Sequence, residues 1–186
     1  MSDRVALGAA DLTLYEQTAA YSVFPNDGVR IEPRYIRKVT DYDGHVLEEN
    51  YPDAKDAVNP HTARTMVSLL QGVVLHGTAA AAAKLKHPLA GKTGTTNDYT
   101  DAWFVGFSPS ITCGVWIGFD EKKTLGSKET GSEAALPIWI DFMRVAISNP
   151  AFKDESFAPA TEDEHPVTIK KAQVVLPRHA GSAEAR

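Results

Sequence analysis

Apolar residues recur along this chain in two rhythms, and the point where the rhythm changes divides it. Up to about residue 88 the spacing is mainly helical. Thr13 and Glu16 form a T-x-x-E capping box ahead of Ala19, Ala20 and Val23, which predicts a helix stopped by Pro25 and Asn26-Asp27-Gly28. Asn59-Pro60 opens a second helix, an N-cap side chain followed by proline where its missing N–H costs nothing. Ala63, Met66, Val67, Leu70 and Val73 then form one apolar stripe, and Gly77 ends it. Thr78 is expected to cap a short alanine-rich helix running to about Leu85. Between these helices, Val29 to about Glu49 is rich in Ile, Val and Tyr. Asp43-Gly44 breaks it, and a turn that needs positive φ at both central residues predicts a type I′ hairpin there.

From Leu89 the period becomes two. Leu89–Thr95, Asp101–Phe107 and Ile111–Phe119 are three predicted strands. Ser108-Pro109-Ser110 is too short for a parallel crossover, so the last two strands are antiparallel. In the third strand Ile111, Cys113, Val115, Ile117 and Phe119 share one face, with Thr112, Gly114, Trp116 and Gly118 on the other. After a polar loop, Ser132 is expected to cap a helix that buries Ala135, Ile138, Trp139, Phe142, Met143 and Ala146, with Pro137 in its first turn. Beyond Asn149-Pro150 no period is sustained. Residues 151–186 read as a largely irregular C-terminal tail, with one short strand expected at Thr168–Leu176.

Composition narrows the classes without choosing among them. The chain has 186 residues, enough for one domain or one domain with a tail, and its 43% hydrophobic and 23% charged content is that of a globular protein. A formal charge of -5 lacks the basic footprint of a nucleic-acid binder. Cys113 is the single cysteine, which excludes an intrachain disulfide framework and a thiolate metal cluster. No run approaches the roughly 20 apolar residues of a membrane helix, and Met1 to Ala6 lacks the basic and apolar regions of a signal peptide. His45, His61, His76, His87, His165 and His179 show no tight ligand spacing, so no metal or cofactor is implied.

Candidate chemistry gathers at Gly91-Lys92-Thr93-Gly94-Thr95-Thr96. A P-loop would need a glycine at position 86, which is Lys86, and a helix immediately after the lysine, where Gly-Thr-Thr-Asn-Asp-Tyr stands instead. The other chemistry that uses this pattern is the K-[ST]-G strand of penicillin-recognising enzymes. There an ammonium and hydroxyls hold a carboxylate, a glycine leaves room for a ligand, and the next backbone N–H points at a developing oxyanion.

Further residues match in order. They include Leu7-Gly8-Ala9, Leu12-Thr13-Leu14, Ala20-Tyr21, Gly28-Val29-Arg30-Ile31 and Gly72-Val73-Val74 with Gly77-Thr78-Ala79. The continuous run Ala90 to Tyr99, then Asp101-Ala102-Trp103-Phe104-Val105-Gly106-Phe107, Val115-Trp116 and Pro137-Ile138-Trp139 extend the match. From about Leu7 to Met143 the chain resembles the class A penicillin-binding proteins, the bifunctional glycosyltransferase–transpeptidases of peptidoglycan synthesis. The resemblance implies an α+β chain, an incomplete serine β-lactamase/D,D-transpeptidase-like fold with an antiparallel sheet flanked by helices. Residues 1–150 would be the C-terminal portion of the transpeptidase domain, and the hairpin would lie outside the main sheet. It implies recognition of D-Ala-D-Ala stem peptides and β-lactams, with Lys92, Thr93, Gly94, Thr95 and Thr96 binding the substrate and the Thr95 N–H forming half of an oxyanion hole.

No serine has Lys three residues later or Asn two residues later, so the Ser-x-x-Lys nucleophile motif and its Ser-x-Asn companion are absent, and no catalytic residue is assigned. Thr168-Ile169-Lys170-Lys171 has a hydroxyl–lysine spacing, but it falls in the tail. The chain is expected to begin just after the second motif and to need an upstream half of the domain as partner. The family is anchored in the membrane and works outside the cytoplasm. A rival reading is a catalytically inactive remnant of the fold that acts at most as a binding module. Trp103, Trp116 and Trp139 are read as core or cleft wall, Asp98 and Asp101 as loop-orienting groups, and Cys113 as structural.

Overall fold

A computed structural model describes residues 11–152 and 155–160. Helix α1 (Leu14–Tyr21) starts on the capping box: the Thr13 hydroxyl accepts the Glu16 N–H, and Glu16 Oε2 accepts the Thr13 N–H at 2.9 Å. Turns then carry the chain through Asp27 and Gly28, both at positive φ, into strand β1 (Val29–Ile31). A side chain at Gly28 would collide with the Val58 carbonyl, so glycine is needed there for close approach as well as for φ.

The segment read as one hairpin is two nested pairs. Strand β1 pairs antiparallel with β4 (Ala54–Asp56), and inside them β2 (Lys38–Thr40) pairs with β3 (Val46–Glu49). The turn is not type I′, because Gly44 has φ +85° while Asp43 is not among the positive-φ residues. Asp41 builds it instead. Its carbonyl accepts the Gly44 N–H at 3.2 Å, its Oδ1 accepts the His45 N–H at 2.8 Å, and a bulge between Val39 and Thr40 absorbs the extra length.

Helix α2 (Pro60–His76) is capped by Asn59 Oδ1 and buries Ala63, Val67, Leu70 and Val74. A bidentate pair from Arg64 to Asp27, at 2.9 and 3.0 Å, ties α2 to the turn before β1. The alanine-rich stretch is a 3₁₀ helix, Ala80–Leu85, with no side-chain cap, so Thr78 does not cap it. Strands β5 (Ala90–Thr95), β6 (Asp101–Phe107) and β7 (Thr112–Gly118) form an antiparallel meander in that order. The Ser108 hydroxyl stabilises its second turn by accepting N–H groups of Ser110 and Ile111.

Gly131–Ala135 forms a π-helical turn leading into α3 (Leu136–Ala146). Ser132 is not its cap; its hydroxyl bonds that of Thr130 at 2.8 Å. Pro137 lies in the first turn, as expected. Helix α3 buries Leu136, Trp139 and Met143, but Ile138 and Phe142 of the expected stripe are about half exposed (52% and 51%). Trp139 meets Phe104 edge-on at 4.9 Å and, with Val74, Ala79 and Ala82, fills the core on one sheet face. On the other face Val67 and Leu70 cover Ala90 and Phe107. Full burial of one such large apolar side chain is worth about 1.5–3 kcal/mol.

Past a short 3₁₀ turn at Pro150–Phe152, residues 155–160 have no regular structure, yet Phe157 packs edge-on against Phe107 at 5.7 Å. The expected strand at Thr168–Leu176 lies outside the described residues. Among the described residues no helix is long and apolar enough to cross a membrane.

Candidate functional site

Among the described residues strand β5 is at the edge of its sheet, and the hydrogen-bond alternation of an antiparallel pair determines what it shows to the outside. The Thr96 N–H donates to the Asp101 carbonyl, so by register the peptide groups of Gly94, Lys92 and Ala90 also bond β6. Those of Thr95, Thr93 and Gly91 therefore point away from the sheet. The open edge thus carries the Thr95 N–H and the Thr93 carbonyl, with Gly94 between them.

Side chains complete this edge. The Lys92 ammonium curls over it, donating to the Thr93 carbonyl at 2.8 Å and approaching the Thr93 hydroxyl at 3.4 Å. The Thr93 hydroxyl bonds Thr78 Oγ1 at 2.8 Å, and Thr95 Oγ1 accepts the Gly131 N–H at 3.0 Å. Two groups that sequence reasoning did not assign to the site therefore hold its hydroxyls. Each follows or is a glycine that only a missing Cβ permits. A Cβ on Gly77 would come 2.8 Å from Val73 Cα, and one on Gly131 would come 2.3 Å from the Trp103 carbonyl oxygen.

Thr96 has a different role from Thr93 and Thr95. Its hydroxyl accepts the N–H groups of Thr100 and Asp101 and bonds the Thr100 hydroxyl at 2.9 Å, closing the β5–β6 turn. Asp101 orients that turn: its Oδ2 accepts the Thr100 hydroxyl and its Oδ1 accepts the Trp116 indole N–H at 3.0 Å. Asp98 lies 3.7 Å from the Lys122 ammonium on the surface. Trp139 is buried core, whereas Trp103 and Trp116 form a tilted pair 6.2 Å apart on the face that also carries Gly94.

Away from this edge the titratable groups serve packing and turns. Burial pushes the Cys113 thiol up to about 11, so it stays protonated near neutral pH. Asp41, Asp43 and His45 bring ligand-type atoms within 4.8 Å of one another at the exposed hairpin tip, where Asp41 already serves the turn. His87 Nε2 and Glu155 Oε1 meet at 2.6 Å, with both side chains 9% exposed. The edge of β5 is therefore where an exposed cation, two hydroxyls held in place and an outward N–H converge, a set suited to an anionic group beside a polarised carbonyl.

Comparison with known proteins bears on this arrangement. Residues 3–143 match the family model described as penicillin binding protein transpeptidase domain. The chain is 51% identical over 141 residues to penicillin-binding protein 1A of Aquifex aeolicus, covering 76% of this chain and 19% of that protein. Penicillin-binding protein 1A of Neisseria gonorrhoeae is 43% identical over 149 residues, covering 77% of this chain and 19% of the relative. The chain thus spans about a fifth of the length of these relatives. The crystal structure of penicillin-binding protein 1A from Haemophilus influenzae superposes with a TM-score of 0.77 at 30% identity, over 85% of this chain and 30% of the other. A D,D-transpeptidase domain from Eggerthella lenta gives 0.60 at 28% identity, over 74% and 33%.

Proposed function

This chain belongs to the penicillin-binding protein transpeptidase family, and from that premise we propose that its β5 edge is the carboxylate-holding wall of a D,D-transpeptidase site. The bound group is the terminal carboxylate of a D-Ala-D-Ala stem peptide, or the matching carboxylate of a β-lactam. Lys92 supplies the charge, the Thr93 and Thr95 hydroxyls supply directed hydrogen bonds, and Gly94 leaves the strand open to a ligand. The Thr95 N–H is one oxyanion donor. The observation that carries this reading is the Lys92 ammonium folded over the unpaired edge of β5, 2.8 Å from the Thr93 carbonyl. Lys92 is exposed there, so an incoming carboxylate can reach its ammonium and compete with the Thr93 carbonyl for it.

This chain itself offers no Ser-x-x-Lys nucleophile, since no serine is followed by lysine at the third position. This fact also favours the second reading, a non-catalytic remnant. An in-frame Ser-x-x-Lys and Ser-x-Asn in the coding DNA upstream of this segment would decide for the transpeptidase.

The direct test uses the full protein that carries this segment. A charge-assisted contact is worth about 1.5–3 kcal/mol, so Lys92→Ala should slow acylation by a fluorescent penicillin about ten- to hundredfold. An unchanged rate would refute the assignment of Lys92.

A further inference from the structure

We infer that Thr78 is a positioning residue for the β5 wall, acting through the Thr93 hydroxyl; the inference rests on the transpeptidase reading for its functional consequence but not for its structural one. Sequence pattern places Thr78 as a helix cap, but its hydroxyl caps nothing. The 3₁₀ helix after it begins without a side-chain cap, and the bond Thr78 makes is to Thr93 Oγ1, 15 residues ahead, at 2.8 Å.

The local geometry is built to deliver that hydroxyl. At the end of α2 the Gly77 and Ala79 N–H groups both return to the Val73 carbonyl, at 3.0 and 3.2 Å. This double return folds the chain tightly back on α2 at a point where a Cβ on residue 77 would meet Val73 backbone atoms at 2.8 and 2.9 Å. Ala79 is then driven fully into the core beneath Phe104 and Trp139. Thr78 is pinned between a residue with no room for a side chain and one with no exposure, so its position relative to β5 is set by packing.

What Thr78 does for Thr93 follows from counting donors and acceptors. A threonine hydroxyl has one proton and two acceptor sites. Lys92, 3.4 Å away, can only donate to Thr93 Oγ1. The Thr78 bond uses one more of the three positions, fixing the Thr93 side chain in one rotamer with its remaining capacity at the open edge. Without Thr78, the Thr93 hydroxyl would turn freely between Lys92, solvent and its own strand. A ligand would then have to order it on arrival, which weakens binding and orientation together.

The experiment compares Thr78→Val, which keeps the shape and loses the hydroxyl, with Thr78→Ser, which keeps the hydroxyl. Both are made in the full protein that carries this segment, alone and combined with Thr93→Val. The structural readout is the Thr93 rotamer, from three-bond couplings to its methyl carbon in threonine-labelled protein. A single rotamer is expected in the parent and Thr78→Ser, and an averaged one in Thr78→Val. The functional readout is acylation by fluorescent penicillin, expected to fall about three- to tenfold in Thr78→Val, to recover in Thr78→Ser, and to fall no further when Thr78→Val is added to Thr93→Val. A Thr78→Val protein with an unaveraged Thr93 rotamer, or losses that add fully in the double variant, would overturn the inference. A parent protein that is never acylated would count against the transpeptidase reading, while the rotamer comparison would still decide the role of Thr78.

Discussion

Gly131 shows how one missing methyl can hold a loop against a strand. Its N–H reaches Thr95 Oγ1 only because the loop after β7 lies flat on the backbone of β5 and β6. The atoms a Cβ would meet are the Trp103 carbonyl oxygen at 2.3 Å, the Gly94 carbonyl oxygen at 2.7 Å and the Gly94 nitrogen at 3.1 Å. All three are backbone and cannot swing aside. Gly131→Ala should therefore lift the loop, break the bond to Thr95 and cost about 1–3 kcal/mol, as overpacking does. Denaturant unfolding checks this, and a variant as stable as the parent would show that the loop does not sit on β5. Gly94 is a milder case, since a Cβ there would meet Trp103 Cβ at 3.2 Å and leave the open edge narrower.

At the scale of elements, the segment beyond α3 behaves as a strap. Phe157 enters the cluster formed by Val67, Leu70, Ala90 and Phe107, and Glu155 fastens to His87, three residues before β5 begins. Burial opposes charge on Glu155, whose Oε2 is buried without a hydrogen-bond partner among the described residues. The neighbouring Ser110, His87 and Ser108 side chains, with His87 bonded to Oε1 at 2.6 Å, nevertheless hold the carboxyl below its usual value of 4.5. Folding therefore favours the carboxylate. Its contribution is complete above 4.5 and disappears as the pH falls through the lower native value. Glu155→Gln should consequently lose less stability than the parent on acidification from neutral pH to below 4.5, measured by thermal unfolding. Equal slopes for the two proteins would exclude the strap as an acid-labile fastening. None of this was legible in a stretch with no hydrophobic period, because a single Phe and a single Glu make no pattern. Where local chemistry decides, the sequence was a good guide: the Thr13–Glu16 box, Asn59-Pro60, Gly77 and all three strands of the meander lie within a residue or two of their expected places. It failed where the partner is distant. The β1–β4 pairing spans the whole hairpin, Thr78 answers to Thr93 rather than to its own helix, and Ser132 answers to Thr130. On β5, which carries the candidate site, Lys92, Thr93 and Thr95 lie in the strand as the period of two predicts, while the Thr96 hydroxyl closes a turn whose tightness periodicity does not encode.

The whole molecule leaves one side of its sheet unfinished among the described residues. By register, the outward peptide groups of β7 are those of Thr112, Gly114, Trp116 and Gly118, and the sheet order ends there. Ile111–Phe119 contains neither charge nor proline. Nearby, α3 exposes Ile138, Phe142 and, at 73%, Val145. An unguarded apolar edge beside an apolar helix face is a template for association. The chain prepared alone should therefore form oligomers or aggregates by light scattering. A monomer whose amides at Thr112, Gly114, Trp116 and Gly118 resist hydrogen exchange would show instead that the edge is already paired. The excursion after β1 has a contrasting property that follows from the β1–β4 ladder. Glu32 donates its N–H to the Asp53 carbonyl at 3.2 Å, so the excursion that carries β2 and β3 leaves and re-enters the body at hydrogen-bonded neighbours. Such an excursion is modular. Its length can change without altering the distance its ends must span, while its foot stays tied to α1, where the Tyr15 hydroxyl donates to the Pro33 carbonyl at 3.0 Å and Tyr15 stacks on Tyr35.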